Sequence, residues 1–181
     1  MQPLWTSVFG NDRPVEIEIG PGRGDVLLAF ATARPEVNFF AIEYIHEAAE
    51  RLVARLDDSR ITNARVMAGD AGCVIHHVVP TASVARYHLY FPDPWPKRRH
   101  HKRRIMTPAF AAAMRRTLTP SGVVHVATDL RWLFDEIART LVAAAFIRDH
   151  GDSLPDRPMT RFERKYATAG TFSGTFVPAG D

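Results

Sequence analysis

Strand-like and helix-like segments alternate along most of this sequence, and the alternation limits the chain to a small set of folds. Residues 15–19 (VEIEI) place apolar side chains at every second position, which is typical of a strand. They run into a glycine-rich turn, GPGRG at residues 20–24, and then into helical spacing over residues 25–31. A strand, a glycine turn and a helix in this order open a nucleotide-binding α/β unit.

The alternation continues through the chain. It predicts strands over residues 38–43, 65–68, 85–91 and 123–128, and helices over residues 45–56, 71–79, 107–118 and 131–146, with a turn at 119–122. Residues 1–14 are polar and turn-rich, residues 157–166 suggest a proline turn and a helical stretch, and residues 171–177 suggest a last strand of open pairing. The pattern predicts an α/β fold with a mostly parallel sheet and helices on both faces.

Length and composition indicate one domain over residues 1–181, with a short N-terminal arm at residues 1–14. There is no apolar run long enough for a membrane span and no signal-peptide pattern, and a single cysteine excludes an internal disulfide. We therefore expect a cytoplasmic protein without membrane contact. The net charge of +3 comes from residues 97–104, which hold six of the 23 Lys and Arg residues and no acid. That segment is either an attractor for a polyanion or an ordinary basic surface loop.

The glycine turn does not match the dinucleotide fingerprint, because Asp25 stands where that fingerprint requires a glycine. An acid, Glu18, also lies just ahead of the turn, where pyrophosphate would be disfavoured. S-adenosylmethionine suits such a site because it carries an amino group and a sulfonium but no phosphate. Gly20 and Gly22 are then candidate cofactor contacts, and the alternative is an ordinary strand-to-helix turn.

Three predicted strands end at acids, Glu18, Glu43 and Asp70. The carboxyl ends of parallel strands share one edge of the sheet, which is the edge where open α/β sheets bind ligands. Glu43 can accept the ribose hydroxyls, and Asp70 can accept from an adenine amino group. Asp70 can also be the N-cap of the next helix, and the two roles are compatible.

Asp93 shares that edge and is held between two prolines in the stretch FPDPWPKRRHHKRR, residues 91–104. Guanine N7 carries a free lone pair, so its methylation requires orientation and a nearby negative charge rather than a base. Asp93 can supply both, and Trp95 can stack on the base or wall it. The alternative for Asp93 is a turn acid that caps local amides.

The remaining candidates are less constrained by spacing. Asp129 follows the fifth strand and either has a role in the site or caps the next helix, and a capped helix N-terminus is the plain interpretation of residues 160–163. Cys73 is expected in the core rather than as a nucleophile. The histidine pairs at residues 76–77 and 100–101 lack ligand-like spacing, so we predict no metal site.

These motifs, in this order, resemble the tRNA (guanine-N7)-methyltransferases. The resemblance is carried by EIGPGRG from Glu18, AIE at 41–43, GDA at 69–71, the FPDPWPK stretch with its basic tail, ATD at 127–129 and MTRFE at 159–163. It covers roughly residues 5–177, and the stretch around Asp93 is its most specific part. The resemblance implies a Rossmann-like, seven-stranded class I methyltransferase fold that uses S-adenosylmethionine to methylate guanine N7 in the tRNA variable loop.

The resemblance also implies roles for particular residues. Asp93 would be catalytic and would contact the cofactor with Glu18, Glu43 and Asp70. Substrate contacts would fall on Lys97, Asp129, Thr160, Arg161, Phe162 and Glu163. RNA contacts would fall on Arg99, His100, His101, Lys102, Arg103 and Arg104.

The sequence departs from the family pattern in two places. The arm ahead of the first strand is shorter than usual, which suggests a weaker grip on tRNA or a shortened chain, and Arg161 stands where a lysine is usual. Two other functions stay open: a methyltransferase acting on another RNA acceptor, and an RNA-binding module with a vestigial cofactor site. We expect a monomer or a homodimer.

Overall fold

The computed structural model describes residues 4–150, 158–159, 163 and 170–180. Its helices are α1 (Leu4–Phe9), α2 (Asp25–Ala33), α3 (His46–Asp58), α4 (Ala71–His77), α5 (Pro108–Thr117) and α6 (Arg131–Ala143), with a 3-10 helix, η1 (Arg98–Arg103). Its strands are β1 (Val15–Ile19), β2 (Asn38–Glu43), β3 (Ala64–Ala68), β4 (Val84–Tyr90), β5 (Leu118–Thr128), β6 (Phe146–Asp149) and β7 (Phe172–Pro178).

The seven strands form one sheet in the order β3-β2-β1-β4-β5-β7-β6. The first five pair in parallel, and β7 runs antiparallel to both β5 and β6. The chain builds outward from β1 to β3, then returns to place β4 on the other side of β1. The carboxyl ends of β1 and β4 therefore form the topological switch point, where sheets of this kind bind ligands.

Both faces of the sheet are covered, as the alternation predicts. On one face Ile17, Leu89 and Val126 belong to a core that also contains residues from α4, α5 and α6. On the other face Phe39 and Ala41 pack with residues of α2 and α3. All five residues of β1 are buried, including its two glutamates.

The predicted bounds of β1 and β2 are confirmed. Thr107 caps α5, because its hydroxyl accepts a hydrogen bond from the Phe110 N–H at 3.1 Å. The antiparallel pairing of the last strand, left open by the sequence, is now defined. The helix predicted over residues 131–146 is too long, because α6 ends at Ala143 and Phe146 starts strand β6. The predicted turn at 119–122 is also wrong, since these residues lie within β5 where its register against β4 shifts.

Two further predictions need correction. The turn-rich N-terminal segment contains α1, whose Trp5 and Phe9 are buried and whose Trp5 ring lies 5.3 Å from that of Phe40. Cys73 is exposed rather than part of the core, because α4 buries Ala71, Val74 and Ile75 instead. In the part of the chain described here, no helix combines the length and the apolarity that a membrane crossing requires.

Candidate methyl-transfer site

The site is built where β1 and β4 end side by side. Ile19 is paired with Leu89, so the chain leaves the sheet at Gly20 next to Tyr90. The glycine turn that follows β1 therefore neighbours the segment of residues 91–96 that follows β4. A third ending, that of β5, lies on the far side of β4, and the Phe91 N–H donates to the Ala127 carbonyl at 2.7 Å.

The three glycines of the turn have different structural roles. All three have positive φ, +66° at Gly20, +55° at Gly22 and +76° at Gly24, which favours glycine over any other residue. A Cβ on Gly24 would collide with the buried side chain of Leu52, so this glycine lets α2 approach α3 closely. A Cβ on Gly20 or Gly22 would meet nothing within 4 Å, so these two glycines border open space.

Glu43 ties the end of β2 to the glycine turn. Its Oε2 accepts a hydrogen bond from the Gly22 N–H at 3.0 Å, and its Oε1 accepts from the Ile45 N–H at 3.0 Å. The residue is only 7% exposed. Each carboxylate oxygen has a second lone-pair direction, so Glu43 keeps the capacity to accept hydroxyl donors from a ligand.

The other two acids predicted for this edge differ in their surroundings. Glu18 is buried within β1, one residue before its end. Asp70 follows β3 and is exposed, and its Oδ1 accepts from the Cys73 N–H at 2.8 Å. The predicted N-cap role of Asp70 is therefore confirmed.

Asp93 lies beyond the end of β4 in an irregular backbone. The residues on either side of the Pro-Asp-Pro unit have left-handed conformations, with φ of +49° at Phe91 and +40° at Trp95. Such conformations are strained in residues other than glycine and are found most often at functional sites. Asp93 is exposed, and its carboxylate has no hydrogen bond or ion pair with any residue of the described ranges.

The basic segment does not continue as a loop but forms the 3-10 helix η1, with Lys97 as its N-cap. None of its residues is buried. The Arg103 guanidinium lies 4.9 Å from the Trp95 ring centroid, and the His100 ring meets Trp95 edge-on at 5.6 Å. The Trp95 indole, predicted to stack on a base or wall it, is therefore in contact with two side chains of η1.

Arg104 differs from the rest of the basic run. Its Nε donates to the Pro94 carbonyl at 3.0 Å and its Nη2 to the Trp95 carbonyl at 3.3 Å. Its Nη1 forms an ion pair of 2.6 Å with Glu136, and only 10% of its side chain is exposed.

The remaining predicted contacts are placed only in part. Asp129 is half-buried at the end of β5 and does not cap α6, whose N-cap is Leu130 without a side-chain hydrogen bond, so the capping interpretation is wrong. Lys97 is exposed, and Glu163 is buried. Thr160, Arg161 and Phe162 lie outside the described residues.

A buried polar network, which no sequence motif predicts, lies beneath this edge. Glu16, 4% exposed, accepts both Nη donors of Arg34 at 2.7 and 2.9 Å, Nη1 of Arg86 at 3.0 Å and Nε2 of His88 at 2.8 Å. The other ring nitrogen of His88 lies 2.8 Å from the hydroxyl of Tyr90, the last residue of β4. The network thus reaches from the middle of the sheet to its ligand-binding edge. Its only signal in the sequence is an acid inside a strand that is predicted to be covered on both faces.

Charge in this network is distributed unevenly. Burial alone would raise the pKa of Glu16, but His88, Arg34 and Arg86 outweigh burial and lower the pKa from 4.5 to about 2. Burial lowers the pKa of His88, the charges of Arg86 and Arg34 lower it further, and together they outweigh the opposing effect of Glu16. Neutral His88 therefore donates from Nε2 to Glu16 and accepts from Tyr90. His125, stacked on His88 at 5.6 Å, has its pKa lowered to about 3, first by burial.

The ranges described above contain no cluster of three or more His, Cys, Asp or Glu side chains with the arrangement of a metal site.

The fold is shared with known methyltransferases. A SAM-dependent methyltransferase from Aquifex aeolicus superposes with a TM-score of 0.64 over 95% of this chain and 86% of that one, at 11% identity. The aminoglycoside resistance methyltransferase NpmB1 superposes with a TM-score of 0.66 over 97% and 92%, at 13% identity. The sheet order and the site at its switch point define a Rossmann-like methyltransferase fold.

Sequence comparison narrows this class to a family. A family model described as "Putative methyltransferase" matches residues 12–173. A tRNA (guanine-N(7)-)-methyltransferase of Vibrio parahaemolyticus is 42% identical over 168 residues, which are 89% of this chain and 70% of that protein. A protein of the same name from Bordetella pertussis is 37% identical over 164 residues, 91% of this chain and 65% of that protein. The chain belongs to the tRNA (guanine-N(7)-)-methyltransferase family.

Proposed function

We propose that this protein transfers a methyl group from S-adenosylmethionine to N7 of a guanine in tRNA, in the variable loop. The observation that carries the proposal is the position of Asp93. Asp93 lies on a strained backbone just after β4, whose end is next to the end of β1 and its glycine turn, and a basic helix follows in the chain. Its carboxylate has no hydrogen bond or ion pair with a residue of the described ranges. Family membership supports the same reaction.

The residues around the glycine turn fit the methyl donor. The open space at Gly20 and Gly22 leaves room for a ligand against the backbone, and Glu43 lies over this turn to accept ribose hydroxyls. Glu18, Asp70 and Asp93 add negative charge at the same edge, which suits a ligand with an amino group and a sulfonium and disfavours a pyrophosphate. When bound, S-adenosylmethionine supplies an electrophilic methyl group: the guanine N7 lone pair forms the new C–N bond as the C–S bond breaks.

Asp93 acts on the acceptor base. No proton has to leave N7 before or after the transfer, so the carboxylate is needed for orientation and charge rather than as a base. The guanine ring becomes cationic as the bond forms, and a fixed negative charge nearby lowers the energy of that state. An uncharged but isosteric side chain would keep the shape of the site and lose this effect.

The tRNA backbone is held by η1 in this proposal, through Arg99, His100, His101, Lys102 and Arg103. Four of these residues are exposed and His100 is half-buried, and together they make a compact positive surface on one short helix that attracts phosphates without base specificity. Lys97, Asp129 and residues 160–163 complete the proposed substrate contacts. A single domain acting in the cytoplasm as a monomer or homodimer is part of the same proposal.

Transfer to bulk unmodified tRNA, followed by nucleoside mass spectrometry and N7-selective strand scission, tests the proposal. The expected product is N7-methylguanosine in the variable loop. If the methyl group is found on an adenine or on an exocyclic amine instead, the enzyme acts on another acceptor and the proposal is wrong. Calorimetry with S-adenosylmethionine is the companion measurement, because an RNA-binding module with a dead cofactor site would show no binding heat.

A further inference from the structure

Arg104 is the last cation of the basic run, and it is oriented into the protein. The other cations of the run lie on η1 or at its N-cap and are exposed, whereas the Arg104 side chain is 10% exposed. The Arg104 guanidinium is occupied on several sides, by two backbone carbonyls, one carboxylate and the face of Trp132, whose centroid is 4.9 Å away.

The two carbonyls belong to the segment that carries Asp93. Pro94 and Trp95 directly follow the acid, and Trp95 has the left-handed φ of +40°. A backbone in this conformation persists only where its surroundings fix it. Arg104 supplies two directional donors to consecutive carbonyls and so fixes the orientation of the peptides that follow Asp93.

The opposite side of the guanidinium is anchored on α6. Glu136 pairs with Nη1 at 2.6 Å, and Trp132, one turn earlier, stacks on the same group. A lysine cannot reproduce this arrangement, because its ammonium lacks the planar fork that serves two carbonyls and a carboxylate at once. Arg104 thus connects the Asp93 segment to the rigid helix after β5.

We infer that Arg104 is a positioning residue for Asp93 and not a phosphate contact for tRNA. The inference rests on the proposed function for its kinetic consequences, whereas its structural part stands independently. It separates Arg104 from residues 99–103, which are assigned to RNA binding.

The kinetic test compares Arg104→Lys and Glu136→Gln with the control Arg139→Gln, an exposed change on the same helix. Arg104→Lys is expected to lower the single-turnover rate at saturating tRNA by about 10- to 100-fold, because small displacements of a reacting group have such costs. Glu136→Gln is expected to lower it less and Arg139→Gln not at all. The tRNA Kd and its salt dependence should stay as in the wild type. Thermal unfolding of each variant checks folding, and Glu136→Gln carries the test where Arg104→Lys does not fold.

A phosphate contact would give the opposite result. Loss of such a contact lowers the slope of log Kobs against log salt by about one. An unchanged saturating rate in Arg104→Lys, or a lower slope with an unchanged rate in Arg104→Gln, would overturn the inference.

Hydrogen exchange separates this inference from the proposed function. The backbone amides of Asp93, Trp95 and Lys97 should exchange faster in Arg104→Lys and Glu136→Gln than in the wild type and Arg139→Gln. That result would support the positioning role even if the wild type methylated no tRNA, whereas unchanged exchange would contradict it even in an active enzyme.

Discussion

The carboxylate of Glu43 accepts a hydrogen bond from the backbone N–H of Gly22 at 3.0 Å, and this contact joins the ends of two neighbouring strands. The turn that borders the proposed donor site is thereby fixed to the acid proposed to bind the donor's ribose. A change at Glu43 should therefore affect both the ligand and the turn.

Glu43→Gln should weaken S-adenosylmethionine binding by about tenfold or more, because a hydrogen bond to a charged group is worth about 1.5–3 kcal/mol. Calorimetry measures the effect directly. Glu47→Gln, an exposed change in the first turn of α3, is the matched control. Equal affinity of the two variants for S-adenosylmethionine would show that Glu43 does not bind the donor.

Gly24→Ala should destabilise the fold more than Gly10→Ala. The two glycines have nearly equal φ, +76° and +72°, so both changes carry the cost of a left-handed alanine, about 1–2 kcal/mol. Only Gly24 would also drive a Cβ into buried Leu52, which adds about 1–3 kcal/mol of overpacking. Urea unfolding measures the free energy of unfolding of the two variants. Equal values would show that α2 and α3 can move apart to accept the Cβ at no cost in stability.

The turn that contains Gly24 also shows how much of the fold can be predicted from the sequence. The GPGRG turn predicts a strand-to-helix connection, and both flanking elements form as expected. The bounds of β1 and β2 follow from local apolar patterns and were predicted correctly. Helix α1 was missed because it has only six residues, and what holds it is contact with Phe40, far along the chain.

Side-chain partners distant in sequence account for most of the remaining differences. The alternation in β1 does not reveal that Glu16 is buried against Arg34, Arg86 and His88, since these residues come from α2's end and from β4. Arg104 is likewise identical in type to its neighbours. Its ion-pair partner, Glu136, lies 32 positions further on in another helix.

The buried network should make the fold sensitive to acid. An unfolded chain protonates histidine below about pH 6.5, whereas folded His125 stays neutral to about pH 3, so stability falls as pH falls through this window. Below about pH 4.5 the carboxyl of Glu16 is protonated in the unfolded chain, whereas in the folded chain it stays ionised down to about pH 2. The free energy of unfolding therefore falls more steeply in this range.

His125→Asn tests this account, because asparagine cannot take up the proton. Denaturant unfolding between pH 4.5 and 6 should give a pH dependence that is smaller than in the wild type by up to about 1.4 kcal/mol per pH unit. His76→Asn, an exposed change on α4, should leave the dependence unchanged. Identical slopes in all three proteins would mean that His125 titrates alike in the folded and unfolded chains.

The exposed surface of η1 should govern the salt dependence of tRNA binding. Replacing Arg99, Lys102 and Arg103 together by glutamine should lower the slope of log Kobs against log salt by about two to three, since each lost phosphate contact removes about 0.7–0.9. Arg51→Gln combined with Arg139→Gln is the control, because both residues are exposed on other helices. A slope like that of the wild type would make η1 an ordinary basic surface.

The most direct measurement is the single-turnover rate of N7-methylguanosine formation on unmodified tRNA by Asp93→Asn, with saturating S-adenosylmethionine and tRNA. Asparagine keeps the shape of the side chain and removes the charge that offsets the cationic guanine, so the rate should fall by about 100-fold or more. Asp58→Asn, an exposed change at the end of α3, should retain the wild-type rate. An Asp93→Asn enzyme that forms N7-methylguanosine as fast as the wild type would contradict the account.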